Sequence, residues 1–180
     1  MFNDWINQTF LGVKTKIGED RALTNLILKS GYDSVFQSNA IVYTKVPEIY
    51  HTLKNMFVRW ERGDIRENII MFGYVFTKFR LKNLLDIRIV FLNQWFTTLL
   101  SLPFFLIMLI SCLYYPRLFI SSSILTATFI SVFPSFFYGI NFSLKKSIWI
   151  FPYNLFYTFF LFWIVPYSIF TVKKGNWLTR

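Results

Sequence analysis

Two short groups of residues could together carry out chemistry on a sugar. In the first, Glu19 and Asp20 stand at the start of a predicted helix, and a carboxylate there can act as a general base on an acceptor hydroxyl. In the second, Arg59 could bind a diphosphate through paired hydrogen bonds, and the neighbouring indole of Trp60 could hold the apolar face of a sugar ring. Both groups also have structural explanations, as helix-dipole partners and as core or interface packing.

Helix-ending residues and residues that favour β-strands predict the secondary structure that follows the acidic pair. A helix is predicted from Asp20 to Lys29, followed by Gly31, which suits a left-handed helix cap. Two short strands are predicted next, at 34–37 and 40–43, because these residues favour extended structure.

A second helix is predicted to carry Arg59 and Trp60. Pro47 is a suitable first residue, and apolar side chains recur at helical spacing until Gly63, where the helix is expected to end. Residues 68–86 mix apolar and basic side chains, which predicts a separate amphipathic helix lying on the membrane surface.

The composition indicates a membrane protein. Of the 180 residues, 54% are hydrophobic and 22% are aromatic, which is too apolar for an ordinary soluble domain of this size. The formal net charge is +10, and every acidic residue lies at or before Asp86. The remaining cations are sparse and separate apolar runs, a pattern that predicts contact with lipid headgroups and argues against nucleic acid as a partner.

Residues 87–172 are predicted to form the membrane helices. Two uncharged runs, about 89–113 and 118–140, are long enough to cross a bilayer. The third, 147–170, contains two prolines and many aromatic residues, so it is predicted to be a broken or interfacial helix, with a plain third crossing as the alternative. The distribution of cations places Arg117 outside and both the amino-terminal region and 173–180 in the cytoplasm.

The order of several motifs resembles a known family. The chain resembles the C-terminal part of family 2 processive glycosyltransferases of the hyaluronan synthase type, in their bacterial, streptococcal-like class. The resemblance is carried by residues 7–12, 17–21 with 23–25, Thr44 with Val46-Pro47, Arg59-Trp60 with Arg66-Glu67, and Trp177 to Arg180. It implies an α+β fragment plus α-helical membrane segments, with 1–67 as a remnant of a GT-A glycosyltransferase domain and 173–180 as a cytoplasmic gating-type tail.

The resemblance also implies roles for individual residues. Asp20 would be the catalytic base, framed by Glu19 and Arg21, while Arg59 would contact the donor diphosphate and Trp60 would stack beneath the acceptor sugar. The tail residues Trp177 and Arg180 would lie near the donor. The donor would be a UDP-sugar, the product a growing polysaccharide, and the cofactor Mg²⁺ or Mn²⁺, whose ligands in the family are expected outside this chain.

Three positions depart from the family motifs. Met56 stands in place of Gln, Leu178 in place of Gly, and Gly63 in place of a usual Ser. The family's donor-binding and metal-binding half would precede residue 7, so the chain is expected to be a fragment or split half of a glycosyltransferase in the cytoplasmic membrane, working with an upstream half. The alternative is a catalytically inactive membrane module that binds a partner glycosyltransferase or a lipid surface.

Overall fold

The computed structural model describes residues 2–15, 17–35, 37, 39–81 and 83–175. The described part is mostly helical, and its one sheet has two strands. The chain divides into two compact units, one formed by 1–100 with 164–180 and the other by 101–163.

The first unit begins with a short helix and a hairpin. Helix α1 (Phe2–Ile6) precedes strands β1 (Thr9–Phe10) and β2 (Val13–Lys14), which pair in antiparallel register with Phe10 opposite Val13. The two residues between the strands both have positive φ angles, and the second of them is Gly12, as a tight hairpin turn favours. Phe10 is buried, so the hairpin anchors the entry to the next helix.

Helix α2 (Glu19–Lys29) confirms the first predicted helix. Its first turn carries Glu19 and Asp20, and the chain leaves it at Gly31 with a φ of 91°. The two strands predicted at 34–37 and 40–43 are wrong, because the described residues between Gly31 and Tyr50 form no strand. β-forming side chains such as Tyr43, which is 93% exposed, have no neighbouring strand against which to pair.

Helix α3 (Tyr50–Val75) is longer than the sequence predicts. It begins three residues after Pro47 and runs without interruption past Gly63, so the predicted end at Gly63 is wrong. The predicted separate helix at 68–86 is wrong as well, since 68–75 complete α3 and the described residues between Val75 and Leu85 are not helical. Tertiary packing along α3 outweighs the weak helix propensity of a single glycine.

Helix α4 (Leu85–Tyr114) starts by packing on the end of α3. Met71, Val75 and Phe91 form a buried cluster. The Arg88 Nε atom donates to the Val75 carbonyl at 3.1 Å, and its Nη2 atom donates to the next two carbonyls. A cation placed on the free carbonyls at the end of a helix is stabilising, so Arg88 fixes where α4 begins.

Two helices are long and apolar enough to cross a membrane, namely α4 and α5 (Pro116–Asn141). Their positions match the first two predicted spans, and the crossing itself stays a prediction. The third apolar segment is divided into α6 (Leu144–Ser147), α7 (Ile150–Phe156), a π-helical turn (Tyr157–Leu161) and α8 (Ile164–Phe170), and it would be a third span only if these pieces form one crossing. The prediction of a broken helix is confirmed.

Small and polar residues join α6 and α7 to α5 within the second unit. Ser123, Ala127 and Ser131 are buried at four-residue spacing, which lets another helix come close. The Asn154 amide donates to the Ser131 hydroxyl at 2.8 Å, and the Ser135 hydroxyl donates to the Ser147 carbonyl at 3.2 Å. These bonds satisfy polar groups that lipid could not.

Candidate functional site

Two glycines bring the acidic group and the Arg-Trp pair together. Gly18 precedes α2 with a φ of 75°, a conformation that glycine adopts at little cost. A β-carbon on Gly18 would lie 2.9 Å from the Gly63 Cα atom, so the start of α2 crosses α3 in backbone contact. This crossing sets the first turn of α2 beside the part of α3 that carries Arg59 and Trp60.

The crossing forms an open cleft of about 410 Å³. Its lining is made by Gly18, Glu19, Asp20, Arg59, Trp60 and Asp64. Four residues singled out from the sequence, two from each group, therefore line one cleft, although about forty positions separate them in the chain. The structure brings these four together, and their individual roles stay predictions.

Trp60 is a partly exposed lining residue of this cleft. The residue is 52% exposed, and Phe57 packs edge-to-face on it with 5.7 Å between the ring centroids. One ring thus supports the other while leaving apolar indole surface open. Such a surface can hold the C–H face of a sugar ring.

Arg21 is directed at other side chains rather than into that cleft. Its Nη1 atom lies 3.1 Å from Asp64 Oδ1, and its Nη2 atom donates to Asn68 Oδ1 at 3.1 Å and also to Gln94. It lines a second, larger cavity of about 550 Å³, which Asp20 and Asp64 also line. The predicted role of Arg21 in framing substrate stays untested, and its geometry is that of a residue holding α2, α3 and α4 together.

Burial and mutual repulsion shift the acids of α3. Burial raises the pKa of Glu61 to about 7; the negative charge of Asp64 adds to this rise and the Arg21 cation opposes it. Burial also raises the pKa of Asp64, against the effect of Arg21, and that of Glu67, against a hydrogen bond from Asn25. Glu61 is therefore near its titration point at neutral pH.

Two buried arginines of α3 hold the segment that follows α8. Arg62 donates from Nε and Nη2 to the Thr171 hydroxyl at 3.0 and 2.9 Å, and Arg66 donates to the Val172 carbonyl at 3.0 Å. Arg66 also donates to the Ile17 carbonyl at 3.3 Å, immediately before the α2 crossing. The chain after α8 is therefore tied to the same part of α3 as the cleft.

That segment continues towards the amino-terminal hairpin. A β-carbon on Gly175 would lie 3.2 Å from the Lys14 carbonyl oxygen. The predicted tail residues Trp177, Leu178 and Arg180 lie outside the described residues. Their predicted position near the donor stays a prediction.

Several site residues escape sequence reasoning. Arg21 contacts Asp64 and Gln94, and its charge acts on Glu61. None of these three residues belongs to a motif found in the sequence. One signal was present for Asp64, because it lies four residues after Trp60 and therefore on the same face of a continuous helix. A helix that ended at Gly63, as predicted, would leave Asp64 outside it and off the face of Trp60.

Metal binding needs several ligands, and the described residues do not supply them. Within 2–15, 17–35, 37, 39–81 and 83–175, no group of three or more His, Cys, Asp or Glu side chains is placed to hold a metal ion. Glu19, Asp20 and Asp64 share the cleft without forming such a group.

Comparison with known proteins finds hyaluronan synthases. Over 64 residues, or 36% of the chain, the sequence is 39% identical to hyaluronan synthase 3 of Gallus gallus, 38% to hyaluronan synthase 3 of Homo sapiens and 36% to hyaluronan synthase 2 of Bos taurus. The matched stretch spans only 11–12% of the length of these relatives. No family model and no solved structure matches the chain. The chain is therefore similar to hyaluronan synthases over this stretch, and it also carries two helices long and apolar enough to cross a membrane.

Proposed function

We propose that this chain is the acceptor-side part of a processive β-glycosyltransferase that resembles hyaluronan synthases, of their streptococcal-like class. The complete enzyme would build a polysaccharide from UDP-sugars and extrude it through the cytoplasmic membrane. The observation that carries the proposal is the single cleft lined by Asp20, Arg59 and Trp60. It places a carboxylate, a guanidinium and an indole where one sugar unit could touch all three.

Each of the three side chains has a chemical task in this reaction. The Asp20 carboxylate accepts the proton of the acceptor hydroxyl, whose oxygen attacks the anomeric carbon of the donor from the side opposite the leaving UDP. Trp60 holds the acceptor ring and so limits its motion before attack. Arg59 stabilises the negative charge that develops on the departing diphosphate.

The apolar helices would place this cleft at the membrane. In the proposed topology, α4 and α5 cross the bilayer as a hairpin, and the cleft lies on the cytoplasmic side, where UDP-sugars are present. Residues 1–67 would complete a GT-A domain whose other strands come from an upstream half.

The divalent cation expected for the complete enzyme does not fit this chain's described residues, which lack a set of ligands. We therefore assign Mg²⁺ or Mn²⁺ binding to the upstream half and derive no step here through the metal. The contribution of this chain is to bind the acceptor, to orient its hydroxyl and to remove a proton.

The proposal is tested by complementation. This chain is co-expressed with the donor-binding half of a hyaluronan synthase that lacks its own acceptor-side region, and UDP release from UDP-sugars is measured in isolated membranes. We expect release only when both halves are present, and we expect Asp20→Asn to abolish it.

Asp33→Asn is the matched control, because it makes the same substitution at a carboxylate that lies outside the cleft. Full activity of Asp20→Asn would remove Asp20 from the mechanism. If the two halves associate but release no UDP, the alternative of an inactive membrane module that binds a glycosyltransferase is favoured instead.

A further inference from the structure

Both terminal nitrogens of the Arg21 guanidinium bond to side chains from two other helices. Nη1 pairs with Asp64, and Nη2 is shared by the amide oxygens of Asn68 and Gln94. Asp64 and Asn68 belong to α3, and Gln94 belongs to α4. Because Arg21 directly follows Asp20 in the first turn of α2, fixing its guanidinium also restricts the backbone that carries Asp20.

Asp64 belongs to both cavities around this turn. It lines the cleft with Asp20 and Trp60, and it lines the larger cavity with Arg21 and Gln94. The Asp64 side chain is 48% exposed and that of Arg21 is 26% exposed. The ion pair is therefore partly buried at the place where α2 crosses α3. Because Asp64 lines both cavities, a shift of its side chain would affect both Asp20 and the first part of α4.

Charge gives the pair a second effect on the cleft. The Arg21 cation opposes the rise in the pKa of Asp64 and of Glu61, and it does so for Glu67 after a larger effect of Arg66. The negative charge of Asp20 acts on Asp64 and Glu67. An uncompensated carboxylate at position 64 would repel an ionised Asp20 across the small cleft. Arg21 therefore offsets part of the like-charge effect between Asp20 and Asp64.

We propose that Arg21 and Asp64 are positioning residues for Asp20, and that Gln94 extends their pairing to the first membrane helix. The inference rests on the proposed function, since it assumes that Asp20 is the base. It assigns Arg21 to holding Asp20 in place rather than to binding substrate.

Positioning predicts a particular kinetic pattern. Asp64→Asn keeps the size of the side chain but removes its charge, so Arg21 loses its ionic partner and the first turn of α2 loosens. We expect the kcat of the complemented enzyme to fall about tenfold, because a misplaced base slows proton transfer. The KM for UDP-sugar should stay within about twofold, since the proposed donor contact is Arg59 rather than these residues. Asp64→Glu should recover part of the lost kcat.

The experiment uses the two-half enzyme in membranes and compares Asp64→Asn, Asp64→Glu and Asp33→Asn. Asp33 is a close control, because it pairs with Arg80 at 2.7 Å and its side chain is also 48% exposed. A fall in kcat for Asp64→Asn alone, with partial recovery in Asp64→Glu, supports the inference. Unchanged kcat in Asp64→Asn, or equal losses in Asp64→Asn and Asp33→Asn, overturns it.

Arg21→Lys provides a second test if Asp64→Asn does not accumulate. Lysine keeps the charge but cannot reach three acceptors with a planar fork, so kcat should again fall while the KM for UDP-sugar stays within about twofold. Wild-type kcat in this variant overturns the inference. Asp20→Asn is measured in parallel: if it is active, the proposed function fails, whereas if it is inactive and Asp64→Asn has full activity, only the positioning inference fails.

Discussion

Gly18 and Gly63 are in backbone contact, and neither position has room for a β-carbon. A β-carbon on Gly63 would lie 3.0 Å from the Gly18 Cα atom, and one on Gly18 would lie 2.9 Å from the Gly63 Cα atom. The glycine at position 63 is therefore required by this contact. It allows α2 to cross α3 closely enough for Asp20 and Trp60 to share a cleft.

The first prediction concerns this contact. Gly63→Ala should lower the free energy of unfolding by about 1–3 kcal/mol, because the added carbon meets backbone rather than a movable side chain. Gly73→Ala is the control in the same helix: nothing lies within 4 Å of its β-carbon position, so the change should stabilise the chain by up to about 1 kcal/mol. Denaturant unfolding of the full chain in detergent measures both, and equal effects would contradict the contact.

The second prediction concerns Trp60. In the complemented enzyme, Trp60→Ala should raise the KM for an oligosaccharide acceptor about tenfold, because the acceptor loses its apolar platform. Trp60→Phe should lose less, since it keeps an aromatic face. Trp149→Ala serves as the control, because it removes an indole that is 72% exposed and lies outside the cleft. A KM unchanged by Trp60→Ala would separate the indole from acceptor binding.

The third prediction follows from Glu61, whose pKa rises from 4.5 to about 7 in the folded chain. Between these values the folded state binds more protons than the unfolded state, so stability falls as pH rises from about 4.5 to about 7. Glu61→Gln should flatten that part of the stability profile. It should also raise the free energy of unfolding at pH 8 by roughly 1–2 kcal/mol, below the full value of the shift because the site is partly solvated.

Unfolding is measured from pH 4.5 to pH 8 on both proteins. Asp64 contributes in the same direction, so Glu61→Gln should leave a smaller slope rather than none. Identical slopes for the variant and the wild type would show that Glu61 is not the group responsible.

The fourth prediction concerns the link between α3 and the segment after α8. Thr171→Val removes the hydroxyl that accepts two hydrogen bonds from the buried Arg62. Leaving a buried guanidinium without this partner should cost about 1–3 kcal/mol of stability. Thr97→Val is the control, because its hydroxyl is exposed and bonds only to carbonyls of its own helix. Equal losses in the two variants would argue against a specific role for Arg62.

The fifth prediction concerns orientation in the membrane. In a Cys112→Ser background, Arg117→Cys should react with a membrane-impermeant maleimide in intact cells. Lys145→Cys should react only after permeabilisation, because the cations after α5 are expected to stay in the cytoplasm. Both positions are exposed, so poor access within the fold would not mimic protection. Labelling of Lys145→Cys in intact cells would reverse the proposed topology.

Local sequence determines the parts of this protein that local forces control. Helix α2 follows from its acidic first turn and the glycine after it, and α4 and α5 follow from uncharged runs whose backbone must be satisfied within the helix in lipid. Such signals need no knowledge of what else is nearby, so the sequence alone predicts them.

Only the tertiary structure decides the secondary structure of residues that need a packing or pairing partner to adopt it. The β-forming residues around Tyr43 stay irregular because no strand pairs with them among the described residues, and α3 continues through Gly63 because Gly18 packs against it. The same continuity brings Asp64 onto the face of Trp60 and against Arg21. Motifs therefore predicted which side chains could do chemistry, whereas long-range packing decided which of them meet.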